Sequence, residues 1–314
     1  MYDIIKQLIE KYDKIIIHRH NNPDGDALGS QLGLRGLIRL NYPNKLVYAV
    51  GDENDYQHLG RMDTVDDDFY KDSLAIILDV SIERLVSDQR YKLSDHVLVI
   101  DHHLNASDIA DTEINDSTQI ACSQIIANFA KINDFKIDET IATPLFAGIT
   151  TDSGRFKYPL TSAKTFEIAA YLIQNGADIR FVYEKLYTET LNFKKLRGYF
   201  INNFKVHNDK IAYMKNDKNV KFAFDVPTFT VSRAMVNQMA DIEGFEAWAN
   251  FTEDDDGTIF VELRSKRLSI VEIARKYGGG GHALACGCSI YSFDQADEIL
   301  QDLYGLIERS NLNG

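Results

Sequence analysis

Residues 18–33 read "HRHNNPDGDALGSQLG" and place two histidines and two aspartates within nine positions. The preceding segment "KIIIH" (14–18) is apolar and β-branched, which predicts a buried strand. The following segment "ALGSQLGLRGLIRL" (27–40) repeats apolar residues at helical spacing, which predicts a helix. The polar cluster therefore lies in the turn between a strand and a helix, as in the repeating unit of an α/β fold.

The composition limits the class of protein. The chain has 314 residues, is 45% hydrophobic and carries a formal net charge of −13. This length predicts two domains. The acidity argues against long nucleic acid as a partner, because binding through phosphate contacts requires a basic face. No stretch approaches the ~20 apolar residues of a membrane span, so we expect no membrane partner.

Cysteine usage bears on the compartment. Cys122, Cys286 and Cys288 are too few and too scattered for a disulfide framework. Cys286 and Cys288 form a C-x-C pair that could bind metal, but the apolar, glycine-rich stretch before them favours core packing. The N-terminal residues lack the long apolar core of a secretory signal. Together these features predict a reduced, cytoplasmic protein.

The first half of the chain alternates short apolar runs with amphipathic segments. The runs are rich in Val, Ile and Leu, as expected of a parallel sheet covered on both faces. They are "KIIIH" (14–18), "KLVYAV" (45–50), "LAIILDV" (74–80) and "HVLVIDHH" (96–103). We predict a doubly wound, mainly parallel α/β domain over residues 1–180. A helical linker over 181–209 and a smaller α+β domain over 210–314 follow it.

Acidic and imidazole side chains follow several apolar runs. Beyond the first turn they are Asp79 after "LAIIL", Asp101, His102 and His103 after "VLVI", and Asp152 after "LFAGITT" (145–151). Each has a structural explanation when taken alone, because such an aspartate commonly caps a helix or turn, and Asp26 could cap its own helix. Ligands of parallel sheets bind beyond the carboxyl ends of the strands. We therefore expect these side chains to lie together at one edge of the sheet.

Carboxylates crowded at one edge repel one another unless cations lie among them. Oxygen and nitrogen ligands without a thiolate favour Mn, Mg or Fe over a structural zinc site. The set exceeds what one metal needs, so the sequence predicts a site for two metals. Two such ions can hold an in-line displacement at phosphorus and generate hydroxide near neutral pH.

Four motifs, in this order along the chain, resemble those of the DHH phosphoesterases. They are "HRHNNPDGDALGS", Asp79 after an apolar strand, "DHH" at 101–103, and Asp152 in "GITTDSGRF". The stretch "GGGGHALACG" (278–287), preceded by "VELRSK", resembles the glycine-rich signature of the associated substrate-binding domain. In length and layout the chain is similar to the stand-alone nanoRNase and pAp phosphatase group. It is also similar to close relatives that cleave cyclic di-AMP or pApA.

The resemblance implies a site for two manganese ions, with magnesium as a weaker substitute. The implied metal ligands are His20 and Asp24 for one ion, Asp26, His102 and Asp152 for the other, and Asp79 as the bridge. It also implies that His103 binds the substrate phosphate or protonates the leaving oxygen, and that Asp101 orients the motif. His18 shares a strand face with His20 but lacks the family's spacing to the first aspartate, so it is not predicted as a ligand.

The C-terminal motif implies a substrate-binding site. The residues that we assign to it are Arg264, Ser265, Gly279, Gly280, Gly281 and His282. Glycines let backbone amides approach a phosphate closely, although a glycine run alone could equally be a flexible hinge. The family usually has alanine or serine where Cys286 stands, which bears on fine specificity only.

The leading hypothesis is a manganese-dependent phosphodiesterase and phosphatase. Its expected substrates are very short oligoribonucleotides, adenine dinucleotides such as pApA or cyclic di-AMP, and the 3′-phosphate of pAp. Two alternatives stay open, a manganese-dependent inorganic pyrophosphatase and a non-catalytic RNA-binding module. We expect a short RNA or nucleotide as the partner, and a homodimer is a further expectation.

Overall fold

A computed structural model describes residues 2–52, 58–104 and 107–312. The chain forms two compact units, Met1–Thr188 and Glu189–Gly314, called here the N-terminal and C-terminal units. None of the helices in these described residues is both long and apolar enough to cross a membrane.

The described residues of the N-terminal unit form five strands. They are β1 (Lys14–His18), β2 (Leu46–Ala49), β3 (Ser73–Leu78), β4 (His96–Asp101) and β5 (Thr112–Asn115). The helices are α1 (Tyr2–Lys11), α2 (Gly25–Asn41), α3 (Cys122–Ile132), α4 (Glu139–Asp152), α5 (Ala163–Gln174) and α6 (Ile179–Tyr187). Short 3₁₀ turns lie at Asp67–Phe69, Glu83–Leu85 and Gln89–Leu93.

The five strands form one parallel sheet in the order β2-β1-β3-β4-β5. Alternate side chains of each strand face opposite sides, so Ile15 and Ile17 pack under the α-helices while Ile16 packs with Tyr70 on the other side. Both faces are buried, which explains why the strands read as continuous apolar runs. This sheet confirms the predicted α/β fold.

Helices α2 and α4 pack antiparallel at unusually close range. A Cβ atom at Gly29 would lie 2.4 Å from the Pro144 carbonyl oxygen, and one at Gly25 would lie 2.5 Å from the Thr151 side chain. Because these positions are glycine, the backbones can approach closely. The packing places the first turn of α2 against the last turn of α4, where Asp152 lies.

The position of Asp152 differs from the expectation in one respect. Residues 145–151 form the last turns of helix α4 rather than a sheet strand, so Asp152 reaches the sheet edge from a helix. Residues 141–150 are all buried. A helix buried on every side shows no amphipathic period, and a short apolar run then reads equally well as a strand.

The C-terminal unit has a six-stranded sheet in the order β10-β11-β9-β8-β7-β6. Its strands are β6 (Lys205–His207), β7 (Ile211–Asn216), β8 (Ala247–Glu253), β9 (Ile259–Ser265), β10 (Gly280–His282) and β11 (Ala285–Ile290). Its helices are α7 (Leu191–Asn203), α8 (Asn219–Phe224), α9 (Val271–Lys276) and α10 (Phe293–Leu312), with a π-helical turn at Thr230–Ala234 and a 3₁₀ turn at Val236–Met239. Strands β7 and β8 are parallel and the other pairs are antiparallel.

Residues 181–209, predicted as a helical linker, divide between the two units. Helix α6 contributes Val182 to the core of the N-terminal unit. Helix α7 contributes Leu196 and Phe200 to the core of the C-terminal unit, and β6 joins its sheet.

Candidate metal centre

The turn after β1 presents His20 to the edge of the sheet. Its Nδ1–H donates to the Asn21 carbonyl oxygen at 2.7 Å, which leaves Nε2 free to accept or to bind a metal. Nε2 lies 3.5 Å from Asp79 Oδ2 and 3.8 Å from Asp24 Oδ1. Burial lowers the pKa of His20, but the contacts with Asp24 and Asp79 outweigh it and raise the value to about 10. The raised pKa means that the ring holds its proton more tightly, and a metal ion at Nε2 would compete with that proton.

Asp24 and Asp26 have different structural roles at the start of α2. Asp24 is the N-cap, and its Oδ1 accepts the backbone N–H groups of Asp26 and Ala27 at 3.0 Å. Asp26 is fully buried and accepts instead the backbone N–H groups of Cys122 and Ser123, at 2.6 and 2.9 Å. Burial and the nearby charges raise the pKa of Asp26 well above its ordinary value. Asp26 therefore does not cap its own helix, and a neighbouring cation would stabilise its charged form.

Asp79 lies directly after β3 in a strained backbone conformation. Its φ is 60°, in the left-handed region that non-glycine residues rarely adopt, and its N–H donates to the Ile100 carbonyl oxygen at 3.1 Å. This conformation directs a nearly buried carboxylate between two histidines. Oδ2 faces His20, and Oδ1 lies 3.3 Å from Nε2 of His102.

The "DHH" segment supplies two histidines with different surroundings. His102 Nε2 lies 3.3 Å from Asp152 Oδ2 and 3.9 Å from Asp26 Oδ2. Burial lowers the pKa of His102, but its contacts with Asp152 and Asp79 outweigh this effect and raise the value to about 11. His103 is half-exposed, and its Nδ1 bonds to Asp101 Oδ1 at 2.7 Å.

Asp101 holds the "DHH" segment in place through hydrogen bonds. Its Oδ1 also accepts the backbone N–H groups of His102 and His103, at 2.7 and 3.2 Å. Burial raises the pKa of Asp101, but the hydrogen bond from His103 and the other contacts outweigh it and lower the value. The hydrogen bond from His103 in turn raises the pKa of that imidazole. Asp101 therefore fixes the orientation of the His103 ring.

The residue types and their geometry fit divalent metal ions. Among the described residues, three groups of side chains each bring their ligand atoms within 4.8 Å of one another. They are Asp79 with His102 and His103, His20 with Asp24 and Asp79, and Asp26 with His102 and Asp152. Asp79 Oδ1 and His102 Nε2 are buried and have no hydrogen-bond partner among the described residues. Buried polar atoms normally have partners, so these two are suited to a cation.

All the residues assigned to the N-terminal site by sequence thus lie in one cluster. His18 lies outside it, fully buried against the rings of Tyr70 and Tyr91, and burial lowers its pKa to about 4. A cavity of about 280 Å³ opens beside the cluster. Its lining includes five residues that the sequence reasoning missed, namely Asn21, Val80, Ser81, Ile82 and Leu85. Four of them, Val80, Ser81, Ile82 and Leu85, lie shortly after Asp79 in the sequence, and this proximity was the available signal that they line the site.

The glycine run of the C-terminal unit is partly a strand, because Gly280 and Gly281 belong to β10 while Gly278 and Gly279 precede it. A Cβ atom at Gly279 would lie 2.1 Å from the Gly287 carbonyl oxygen, and Gly281 has a φ of +133°. His282 lies opposite Ala285, which lies opposite Arg264 on β9, so His282 and Arg264 share a sheet face.

Two of the assigned C-terminal side chains already have partners within this unit. The Arg264 guanidinium contacts Glu262 at 3.0 Å and the Leu263 carbonyl oxygen at 2.9 Å. The Ser265 hydroxyl donates to the Leu268 carbonyl oxygen and accepts the Leu268 N–H, which closes the turn after β9. The hydroxyl hydrogen of Ser265 is therefore not available to a substrate phosphate while this turn is closed.

Comparison with known proteins identifies the family to which the chain belongs. Residues 14–149 match the model of the DHH family N-terminal domain, and residues 217–309 match the DHHA1 domain. A Bacillus subtilis protein named bifunctional oligoribonuclease and PAP phosphatase NrnA is 38% identical, over 94% of this chain and 95% of its own. A Mycoplasma genitalium protein of the same name is 35% identical, over 94% of each chain.

A solved structure supports the fold across both units. The crystal structure of an exopolyphosphatase-related protein from Bacteroides fragilis covers 96% of this chain, with 94% of its own chain matched, a TM-score of 0.81 and 24% identity. The described cluster includes the predicted ligands from all four sequence motifs. The chain belongs to the DHH family of phosphoesterases.

Proposed function

We propose that this phosphoesterase uses manganese to hydrolyse very short oligoribonucleotides and adenine dinucleotides, and to remove the 3′-phosphate of pAp. The observation that carries the proposal is the position of Asp79, whose carboxylate belongs to two of the three candidate ligand groups. A carboxylate shared in this way suits two ions held side by side. The names of the relatives from Bacillus subtilis and Mycoplasma genitalium support the substrate class.

The ligand set fits an ion that accepts both oxygen and nitrogen donors. His20 and Asp24 would hold one ion, Asp26, His102 and Asp152 the other, and Asp79 both. Imidazole ligands favour manganese over magnesium, which prefers oxygen and retains its waters. When bound, such ions polarise the phosphate and lower the pKa of bound water.

The protein's own groups orient and protonate the substrate. Because Asp101 holds Nδ1 of His103, the other ring nitrogen, Nε2, is available to a substrate beside the cavity. His103 can donate a hydrogen bond to a phosphate oxygen or a proton to the leaving oxygen. Asp101 keeps the ring oriented without touching the substrate.

Charge argues for short substrates. A net charge of −13 repels a long phosphate backbone, while a dinucleotide presents few phosphates outside the metal cluster. The proposed binding site for a terminal phosphate lies on the C-terminal unit and consists of Arg264, His282 and the Gly279–Gly281 backbone. A cytoplasmic location and a homodimer belong to the same proposal, and the three free cysteines agree with a reducing compartment.

The alternatives differ in substrate and in the need for the metal ligands. A pyrophosphatase would prefer inorganic pyrophosphate to every nucleotide. An RNA-binding module would have no use for the cluster of histidines and aspartates gathered around Asp79.

The deciding experiment compares substrates side by side. Purified protein with MnCl₂ is assayed on pApA, cyclic di-AMP, pAp, pyrophosphate and RNAs of two to ten nucleotides, with the Asp79→Asn variant as control. We expect turnover of dinucleotides and pAp by the wild type alone. Preference for pyrophosphate would favour the first alternative, and RNA binding without turnover would favour the second.

A further inference from the structure

The cavity beside the metal cluster has two chemically different walls. One wall carries the predicted ligands and the histidine of the proton-transfer step, and the other is formed by Val80, Ser81, Ile82 and Leu85. These four residues belong to one segment, residues 80–85, that follows Asp79 directly. We call it the 80–85 segment.

The 80–85 segment is held firmly against the cluster. The Leu85 carbonyl oxygen accepts the Asn21 N–H at 2.7 Å, and the Leu85 N–H donates to the Ile82 carbonyl oxygen at 3.0 Å. The next residue, Val86, forms a β-bridge with His20. The backbone of the segment is therefore fixed to the same turn that presents His20, so its side chains stand in a defined position beside the cluster.

The segment places partly exposed apolar side chains at the cavity. Val80 is buried in the core on one face of the sheet, with Ala75 and Ile77. In contrast, Ile82 is half-buried and Leu85 is 37% exposed. The only neutral polar side chains among the described lining residues are Asn21 and Ser81, and Ser81 is buried. A base could therefore pack against the apolar side chains of this wall, which has few groups that could form hydrogen bonds with the edge of the base.

We propose that Ile82 and Leu85 form the surface on which the base of a bound nucleotide packs while its phosphate lies at the metal cluster. The inference rests on the proposed function and adds a specificity rule to it. Apolar contact with the face of a base does not distinguish one base from another. The enzyme is then tolerant of base identity and selective for the presence of a base.

The test measures the contribution of the base rather than turnover. Dissociation constants for AMP and ribose 5-phosphate are measured by calorimetry with MnCl₂, on the wild type, Leu85→Ser, Leu85→Met and Leu93→Ser. Leu93 is the matched control, since it is 50% exposed and lies outside the lining of the cavity. We expect the wild type to bind AMP about tenfold more tightly than ribose 5-phosphate.

The variants separate packing on the base from a structural effect. Leu85→Ser should lose most of the preference for AMP and keep the affinity for ribose 5-phosphate, while Leu85→Met and Leu93→Ser should keep both. GMP, CMP and UMP should bind the wild type within a few-fold of AMP. Equal weakening of both ligands in Leu85→Ser, no base preference in the wild type, or strong selection of one base would each overturn the inference.

Failure of the inference is distinguishable from failure of the proposed function. If the wild type cleaves pApA but Leu85→Ser retains its base preference, only the role of the 80–85 segment is wrong. If the wild type cleaves no dinucleotide, the proposed function is wrong whatever the binding ratios. Should Leu85→Ser fold poorly by thermal melting, Ile82→Thr serves as the second variant, with the same expected loss of base preference.

Discussion

Oδ1 of Asp79 lies 3.3 Å from Nε2 of His102, although the two residues are 23 positions apart in the sequence. They meet because β3 and β4 are parallel neighbours whose carboxyl ends lie at the same edge. The positive φ of Asp79 turns its carboxylate toward this edge. A shared carboxylate in this position is the centre of the proposed site.

Asp79→Asn should abolish most activity through the metal rather than through the substrate. Loss of the charge should lower kcat by about a hundredfold or more and reduce the manganese bound per chain. His282→Ala, in the C-terminal unit, should instead raise KM with a smaller effect on kcat. Steady-state kinetics on pApA, with metal content by elemental analysis, check both. Near-normal kcat in Asp79→Asn would mean that the bridging ligand is wrongly placed.

The sequence predicted the strands of the N-terminal sheet because their side chains are buried on both faces. The apolar runs at 14–18 and 74–80 therefore correspond to β1 and β3 within two residues at each end. Asp152 lies beside the side chains with which it was grouped, but it reaches them from a helix rather than a strand, because the buried α4 lacks an amphipathic period.

Other features depend on contacts that a single sequence does not reveal. Asp26 binds the backbone of α3, nearly one hundred residues away in the chain, and only the fold brings these groups together. The apolar wall at Ile82 and Leu85 was likewise not predicted, because two apolar residues in a loop form no periodic pattern and only their position after Asp79 pointed to the site. The turn formed by Ser265 required knowledge of its hydrogen bonds to Leu268.

Gly29→Ala should disturb the metal site from a distance. The new Cβ would lie 2.4 Å from the Pro144 carbonyl oxygen, so α2 and α4 must separate. We expect a loss of about 1–3 kcal/mol in the free energy of unfolding, because the contact is backbone to backbone and cannot adjust by a rotamer change. Weaker manganese binding should accompany it, since Asp26 and Asp152 lie on the two helices.

Gly198→Ala provides the matched control for Gly29→Ala. Gly198 lies in helix α7, and a Cβ there would meet nothing within 4 Å among the described atoms. This substitution should be neutral or stabilise by up to about 1 kcal/mol through helix propensity. Urea unfolding and manganese titration measure both variants. Equal stability of the two variants would contradict the close packing of α2 on α4.

Manganese should stabilise the folded N-terminal unit, and chelation should remove both this effect and the activity. At a metal concentration of about one hundred times Kd, binding to the folded state alone contributes about 2.7 kcal/mol. Asp152→Asn should reduce the increase in melting temperature, because it removes a charged ligand atom 3.3 Å from His102. Burial raises the pKa of Asp152 and the contact with His102 opposes this effect, so a bound cation would further favour the charged form of the carboxylate. Thermal melting with MnCl₂ and with EDTA tests this, and full turnover in EDTA would exclude the metal centre.

Turnover should fall as the RNA substrate lengthens from two to about thirty nucleotides, because each added phosphate meets a protein of net charge −13. The physical cause is electrostatic, so the dependence on length should become weaker as salt screens the repulsion. The measurement is kcat/KM for a series of oligoribonucleotides at low and at high ionic strength, at fixed manganese. A dinucleotide has little chain beyond the metal cluster, so its kcat/KM should change least with salt. Equal kcat/KM for the dinucleotide and the longest RNA at low salt would indicate an open groove that accommodates the chain, and would remove the charge argument for short substrates.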